Sequence, residues 1–186
     1  MTDQPATDWE FAVAFADALE AVPADQFEPE RFVPGVGPLS ADVMLVGEAP
    51  GEQEVAQGEP FVGQAGTQLE RALESIGLDR RDLYITNLVK GRPPENRDPY
   101  VAEIDAWWPV LEAEIERVDP AVLVPLGSVA TDEILDTDET ITDLHGRAFE
   151  HEGRTVVPAF HPAAALYDRS KVAAVESDLE TALEST

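Results

Sequence analysis

Four short stretches set polar, charged or aromatic side chains beside glycine and proline: GEAPGEQE (47–54), GEPFVGQAG (58–66), NLVKGRPPENR (87–97) and HPAAALYD (161–168). Each offers its own chemistry. The turn opening at Gly47 presents backbone N–H groups suited to an oxygen atom or a water, with the carboxylates of Glu48 and Glu54 close behind. Asn87 brings an amide that both accepts and donates. His161 brings an imidazole whose neutral form donates toward developing negative charge. Lys90, Arg92 and Arg97 place three of the twelve basic residues within eight positions, a phosphate-facing patch unless the local glutamates pair with them. Phe61 is out of place. It precedes an amphipathic helical pattern (Leu69, Ala72, Leu73, Ile76) and stands in a turn bounded by Gly58, Pro60, Gly63 and Gly66. An aromatic there either plugs the core or offers its face to something planar.

The elements that must position these residues alternate. Apolar runs at Asp42–Gly47, Leu83–Asn87, Ala121–Gly127 and Thr155–Phe160 read as buried strands. Helical periodicity covers about Trp9–Val22, Gln64–Ile76, Tyr100–Arg117, Ser128–Leu135 and Lys171–Leu183. That order predicts an α/β fold, a single-domain three-layer α/β/α arrangement around a central four-stranded parallel sheet. The whole chain, 1–186, reads as one domain, with 1–40 forming an N-terminal helix and connector arm. In such a sheet a ligand sits beyond the carboxyl ends of the strands, where three of the four stretches fall. His145 and His151 lie in a hairpin-like stretch, DLHGRAFEHEGR, and read as superficial.

Composition sets the setting. The net charge is −26, from 38 acidic and 12 basic residues. Ordinarily that argues against nucleic acid, because phosphate binding runs on Lys and Arg. With 44% hydrophobic residues, however, the chain is patterned as a folded domain. A lysine-poor, carboxylate-rich surface fits a salt-accumulating halophile, where a Debye length of about 3 Å at molar salt screens repulsion. The acidity is read as habitat and excludes no partner. No apolar run approaches a membrane span, and the N-terminus MTDQPATDWE is unlike a signal peptide, so a soluble, cytoplasmic protein is expected. Absent cysteines remove disulfides, thiolate metal sites and cysteine nucleophiles. Neither the dinucleotide glycine pattern nor a phosphate-loop Gly-Lys-Ser/Thr is present.

In this order and at these separations, the four stretches resemble the uracil-DNA glycosylase superfamily, and within it the family-4 branch. The similarity runs from about Ala41 to Tyr167. It implies a monofunctional enzyme that hydrolyses the N-glycosidic bond of uracil flipped out of single- or double-stranded DNA, leaving an abasic site. No metal or cofactor takes part, and the protein acts as a monomer. The resemblance assigns the base pocket to Gly47, Phe61, Asn87 and His161: Phe61 stacks on the base, Asn87 reads its edge, and His161 donates to O2 of the leaving anion. Glu48 and Glu54 match family carboxylates that orient the water, support the sugar cation or crowd the C5 position against thymine. Lys90, Arg92, Arg97, Ala163 and Leu166 fall where the family contacts DNA, with Leu166 as the wedge. Two departures accompany these matches. Family-4 members hold a four-cysteine iron–sulfur cluster, but Gly91 and Trp107 stand at two of the ligand positions and the N-terminal pair is missing too. The closing motif is HPAAALY, with Ala163 lacking a hydroxyl and Tyr167 in place of an arginine. Two alternatives stay open: excision of other deaminated bases by the same pocket, and a degenerate, non-catalytic DNA-binding module.

Overall fold

A computed structural model of the chain describes residues 7–186. Met1–Ala6, the start of the stretch read as unlike a signal peptide, lies outside the described residues. The strands are β1 (Val43–Gly47), β2 (Tyr84–Asn87), β3 (Val122–Pro125), β4 (Phe149–His151) and β5 (Arg154–Val156). They form one sheet in the order β2-β1-β3-β5-β4, parallel except for β4, which runs antiparallel along β5. The expected four strands are therefore five. The fifth is hidden in the hairpin-like stretch because it has three residues and no apolar run. Its turn, Glu152 (φ 50°) and Gly153 (φ 76°), has the two left-handed residues that tight hairpins favour.

The helices are α1 (Phe11–Ala14), α2 (Ala16–Glu20), α3 (Glu52–Gln57), α4 (Gln64–Ser75), α5 (Val101–Val118), α6 (Ser128–Leu135), α7 (Ile141–Leu144), α8 (Ala164–Tyr167) and α9 (Ser170–Glu184). The expected first helix is broken at Phe15, whose backbone (φ −121°) leaves helical geometry. The break turns Phe15 inward, its ring 4.7 Å from that of Phe11 and 5.8 Å from that of Trp9.

Strand alternation divides the interior in two. Met44 and Val46 face a core built with α5, α6 and the N-terminal arm. Val43 and Leu45 face a second core built with α4 and α9. Covered on both faces, the sheet has its polar chemistry left to its ends. The parallel register puts Gly47 opposite Asn87 and continues, through a bridge, to Leu126 opposite Ala159. The residues that follow β1, β2, β3 and β5 thus share one edge. Among the described residues, no helix is long and apolar enough to cross a membrane.

Candidate active site

Gly47 is the point on which the edge converges. A Cβ there would strike Oδ1 of Asn87 and come within 2.6 Å of Cε2 and Cζ of Phe61. Glycine is required because ring and amide both close on its Cα. Phe61 holds a left-handed backbone (φ 53°), a conformation costing a non-glycine residue roughly 1–3 kcal/mol. Its ring is 5% exposed and packs in the α4/α9 core, yet lies 5.6 Å from the His161 ring at 36°. The ring is thus packed as a core plug that also stands beside the His161 imidazole.

His161 follows β5 and packs over Gly127, where an added Cβ would meet the His161 Cβ at 3.0 Å. The backbone N–H of Ala163 donates to Nδ1 at 3.1 Å. A ring that accepts at Nδ1 carries its proton on Nε2 when neutral, so Nε2–H remains as the free donor. Burial pulls the imidazole below its ordinary pKa, against a smaller opposing pull from the Glu54 charge. Burial thus favours the neutral ring.

The two glutamates differ. Glu54 accepts the N–H of Gly51 at 3.2 Å and that of Gly63 at 3.3 Å, joining the turn after β1 to the Phe61 loop. Glu48 is half-buried. Burial, then a hydrogen bond and charge repulsion with Asp98, push its carboxyl from 4.5 up to about 7. It is poised to change charge near neutrality.

Asn87 is buried at the end of β2. An amide that reads a base edge discriminates only if it is held against flipping, and the hold seen here acts on the Asn87 main chain. Lys90 Nζ donates to the Asn87 carbonyl at 2.6 Å and pairs with Glu114 of α5 at 2.5 Å, with both side chains fully buried. Glu114 also accepts from the Tyr84 hydroxyl at 2.9 Å. Burial pulls Lys90 down and pushes Glu114 up, each opposed by the other's charge. Lys90 was expected to face phosphate; a lysine with 0% exposure and a carboxylate against its ammonium does not reach DNA. Arg97 is likewise engaged, in a two-bond pair with Glu103 (2.8 Å each) and under the Tyr100 ring at 3.7 Å. Of the expected basic patch, Arg92 alone has no carboxylate partner among the described residues. Its Nε donates to the Asn96 side chain at 2.7 Å.

Ala163 leads into α8, which leaves Leu166 36% and Tyr167 89% exposed. A cavity of about 460 Å³ beside Leu166 is lined in part by Arg71 and Arg169. Neither arginine was singled out from the sequence, since they stand 98 positions apart in elements whose approach only the fold reveals. His145, read as superficial, instead bonds the buried Asp178 at 2.9 Å, and Asp178 accepts the Phe160 N–H at 3.1 Å. This ties α9 to the residue before His161.

The residues present do not fit an iron–sulfur cluster. The chain has no cysteine, and Trp107 is 2% exposed, with its indole 3.8 Å from where a Gly91 Cβ would stand. The rings of Phe27 and Phe32 lie 5.6 and 6.0 Å from that of Trp107. Aromatic carbon fills the place.

A flat ring, an amide and an imidazole stand together beyond the parallel strands of an α/β sheet, a set of groups able to hold a planar heterocycle and to meet negative charge on it. The family description "Uracil DNA glycosylase superfamily" matches residues 34–184. The chain belongs to that superfamily. It is 43% identical over 158 residues to a type-4 uracil-DNA glycosylase of Archaeoglobus fulgidus, covering 81% of this chain and 79% of that one. It is 41% identical to the type-4 enzymes of Sulfurisphaera tokodaii (157 residues; 80% and 71% covered) and Saccharolobus solfataricus (162 residues; 82% and 75% covered).

Proposed function

We infer that this chain is a DNA-repair glycosylase that hydrolyses the N-glycosidic bond of uracil in DNA. The single observation that carries the inference is the closure of Phe61 and Asn87 on Gly47, with the His161 ring 5.6 Å from that of Phe61. A uracil turned out of the stack lies against Phe61. The Asn87 amide accepts from N3–H and donates to O4, a pattern cytosine reverses. As the C1′–N1 bond breaks, its electron pair goes to N1 and delocalises onto O2, where Nε2–H of His161 donates. Preorganised donors of this kind are worth a few kcal/mol. Ionised Glu48 accepts a hydrogen bond from the water that adds to C1′ and takes its proton, while Glu54 holds the two loops in register. Base and water are handled by different residues.

Leu166 projects as the wedge that fills the vacated place in the duplex. Arg92, with Arg71 and Arg169 beside Leu166, carries the phosphate contacts, which Lys90 and Arg97 do not. The −26 charge supports a salt-accumulating host, and we take the working protein to be a cytoplasmic monomer. The test is alkaline cleavage of labelled oligonucleotides carrying uracil, hypoxanthine or thymine after incubation from low to molar KCl. Scission at uracil alone is the expected result. A uracil strand left intact across that salt range overturns the assignment.

A further inference from the structure

We propose that Arg80 is a positioning residue for the base platform; this rests on the reading of Phe61 given above. Arg80 lies between α4 and β2, 19 positions from Phe61 and outside all four motif stretches. Its guanidinium donates from Nη1 to the Phe61 carbonyl at 2.7 Å and from Nη2 to the Pro60 carbonyl at 2.9 Å. A planar fork on two successive carbonyls fixes the direction of the peptides as well as their place. Direction is what this turn needs. Phe61 is left-handed (φ 53°), a region that phenylalanine does not hold by its own preference.

The first turn of α4 closes on the same group: a Cβ on Gly66 would collide with the Phe61 carbonyl. The carbonyl thus meets both a helix turn that leaves no room for a side chain and the Arg80 guanidinium. Among the described residues Arg80 has no carboxylate partner, while neighbouring Arg81 takes Asp79 at 2.6 Å. The Arg80 side-chain hydrogen bonds go to the two loop carbonyls, and its charge reaches Asp79 only at longer range. Because the ring of Phe61 abuts Gly47 and the His161 ring, any rotation of its backbone moves the platform against both. Without the fork, the loop relaxes and the ring swings off its stacking position.

The experiment compares Arg80→Met, Arg80→Lys, Phe61→Ala and the Arg80→Met/Phe61→Ala pair. It measures single-turnover excision, inhibition by free uracil, affinity for uracil-free DNA and melting midpoint. Arg80→Met should slow excision roughly 10–100-fold, as displacement of a positioning contact does, and weaken inhibition by uracil. Affinity for uracil-free DNA should not change. Arg80→Lys should recover only part of the rate, because an ammonium cannot span both carbonyls. The paired variant should be no slower than Phe61→Ala alone. Excision within twofold of the parent in Arg80→Met overturns the proposal, as does a fully multiplicative loss in the pair. If Arg80→Met does not fold, Arg80→Lys decides, since a parental rate and parental uracil inhibition there show the fork to be unnecessary. Full activity in Phe61→Ala would instead overturn the platform reading; a slow Phe61→Ala beside a parental Arg80→Met sinks only the role of Arg80.

Discussion

The pocket edge and the flank beneath α5 are held together by opposite means. At the edge, direction dominates. Glu54 bridges two loops, Asp178 fixes the strand end before His161, and Lys90 on Glu114 fixes the carbonyl of Asn87. On the flank, volume dominates. Trp9 stacks on Tyr84 at 6.1 Å, and Phe11, Phe27 and Phe32 continue the packing out to Trp107. Hydrogen bonds and ion pairs specify an angle, and a pocket that must receive one heterocycle in one orientation needs angles. Apolar rings specify mainly that space be filled, and many shapes fill it. In this chain the flank is held by packed aromatic rings and the edge by directed hydrogen bonds and ion pairs.

The largest expected effects are on stability. Trp107→Ala removes a large core side chain and should cost about 3–5 kcal/mol. The folded fraction should still excise uracil, so an inactive but stable variant would break the division of labour. Lys90→Met strands a buried carboxylate and should cost about 3–5 kcal/mol as well. Adding Glu114→Leu should recover most of that, and salt dependence of DNA binding should stay unchanged. Denaturation curves with parallel binding titrations decide both.

Next come the reacting groups. His161→Ala and Asn87→Ala should each slow excision roughly 100-fold or more at near-parental melting points. A well-folded His161→Ala at full rate would remove that residue from the chemistry.

Glu48 gives a smaller effect with a definite sign. Its carboxyl is raised from 4.5 to about 7 in the folded protein. The fold therefore binds a proton that the unfolded chain has released, and stability falls as pH rises from about 4.5 to 7, then levels. Activity runs the other way, because the ionised form accepts from water. Single-turnover rates should climb about tenfold per pH unit below about 7 and flatten above it. Glu48→Gln should be slow and show no such inflection, and Asp98→Asn should move the inflection to lower pH. A parental profile that is flat across this range would contradict the role.

The smallest effect concerns DNA affinity. With Lys90 and Arg97 engaged by carboxylates, few cations remain, and the salt slope should report about 2–4 phosphates. Arg92→Ala should weaken uracil-containing and uracil-free DNA alike by a few fold. A slope typical of a basic DNA-binding protein would show a contact surface elsewhere.

Much of this was legible in the chain because strong periodic patterns carry their own evidence. The run VMLVG announced β1, and SVATDEIL announced α6 to the residue. β4 was not legible as a strand, since FEH pairs only through its turn. Short α3, α7 and α8 were missed for the same reason: four to six residues make too little pattern. Phe61, Asn87 and His161 stood out by their places after proline or at a strand end, but their roles rested on the resemblance of the motifs to the superfamily. What holds them did not stand out. Lys90 and Glu114 stand 24 positions apart, and nothing in KGRPPENR distinguishes a lysine turned inward from one facing solvent. The same holds for Arg80, whose partners are main-chain carbonyls that leave no mark on composition.

The burial of Lys90 also has a practical side. The chain has two lysines, and the other, Lys171, opens α9 with its ammonium 4.0 Å from the centre of the Phe160 ring. Acylating reagents will find one reactive lysine side chain rather than two. A fluorophore attached there sits against the ring of Phe160, the residue that precedes His161 in the chain. The protein thus comes with a built-in address for a reporter dye.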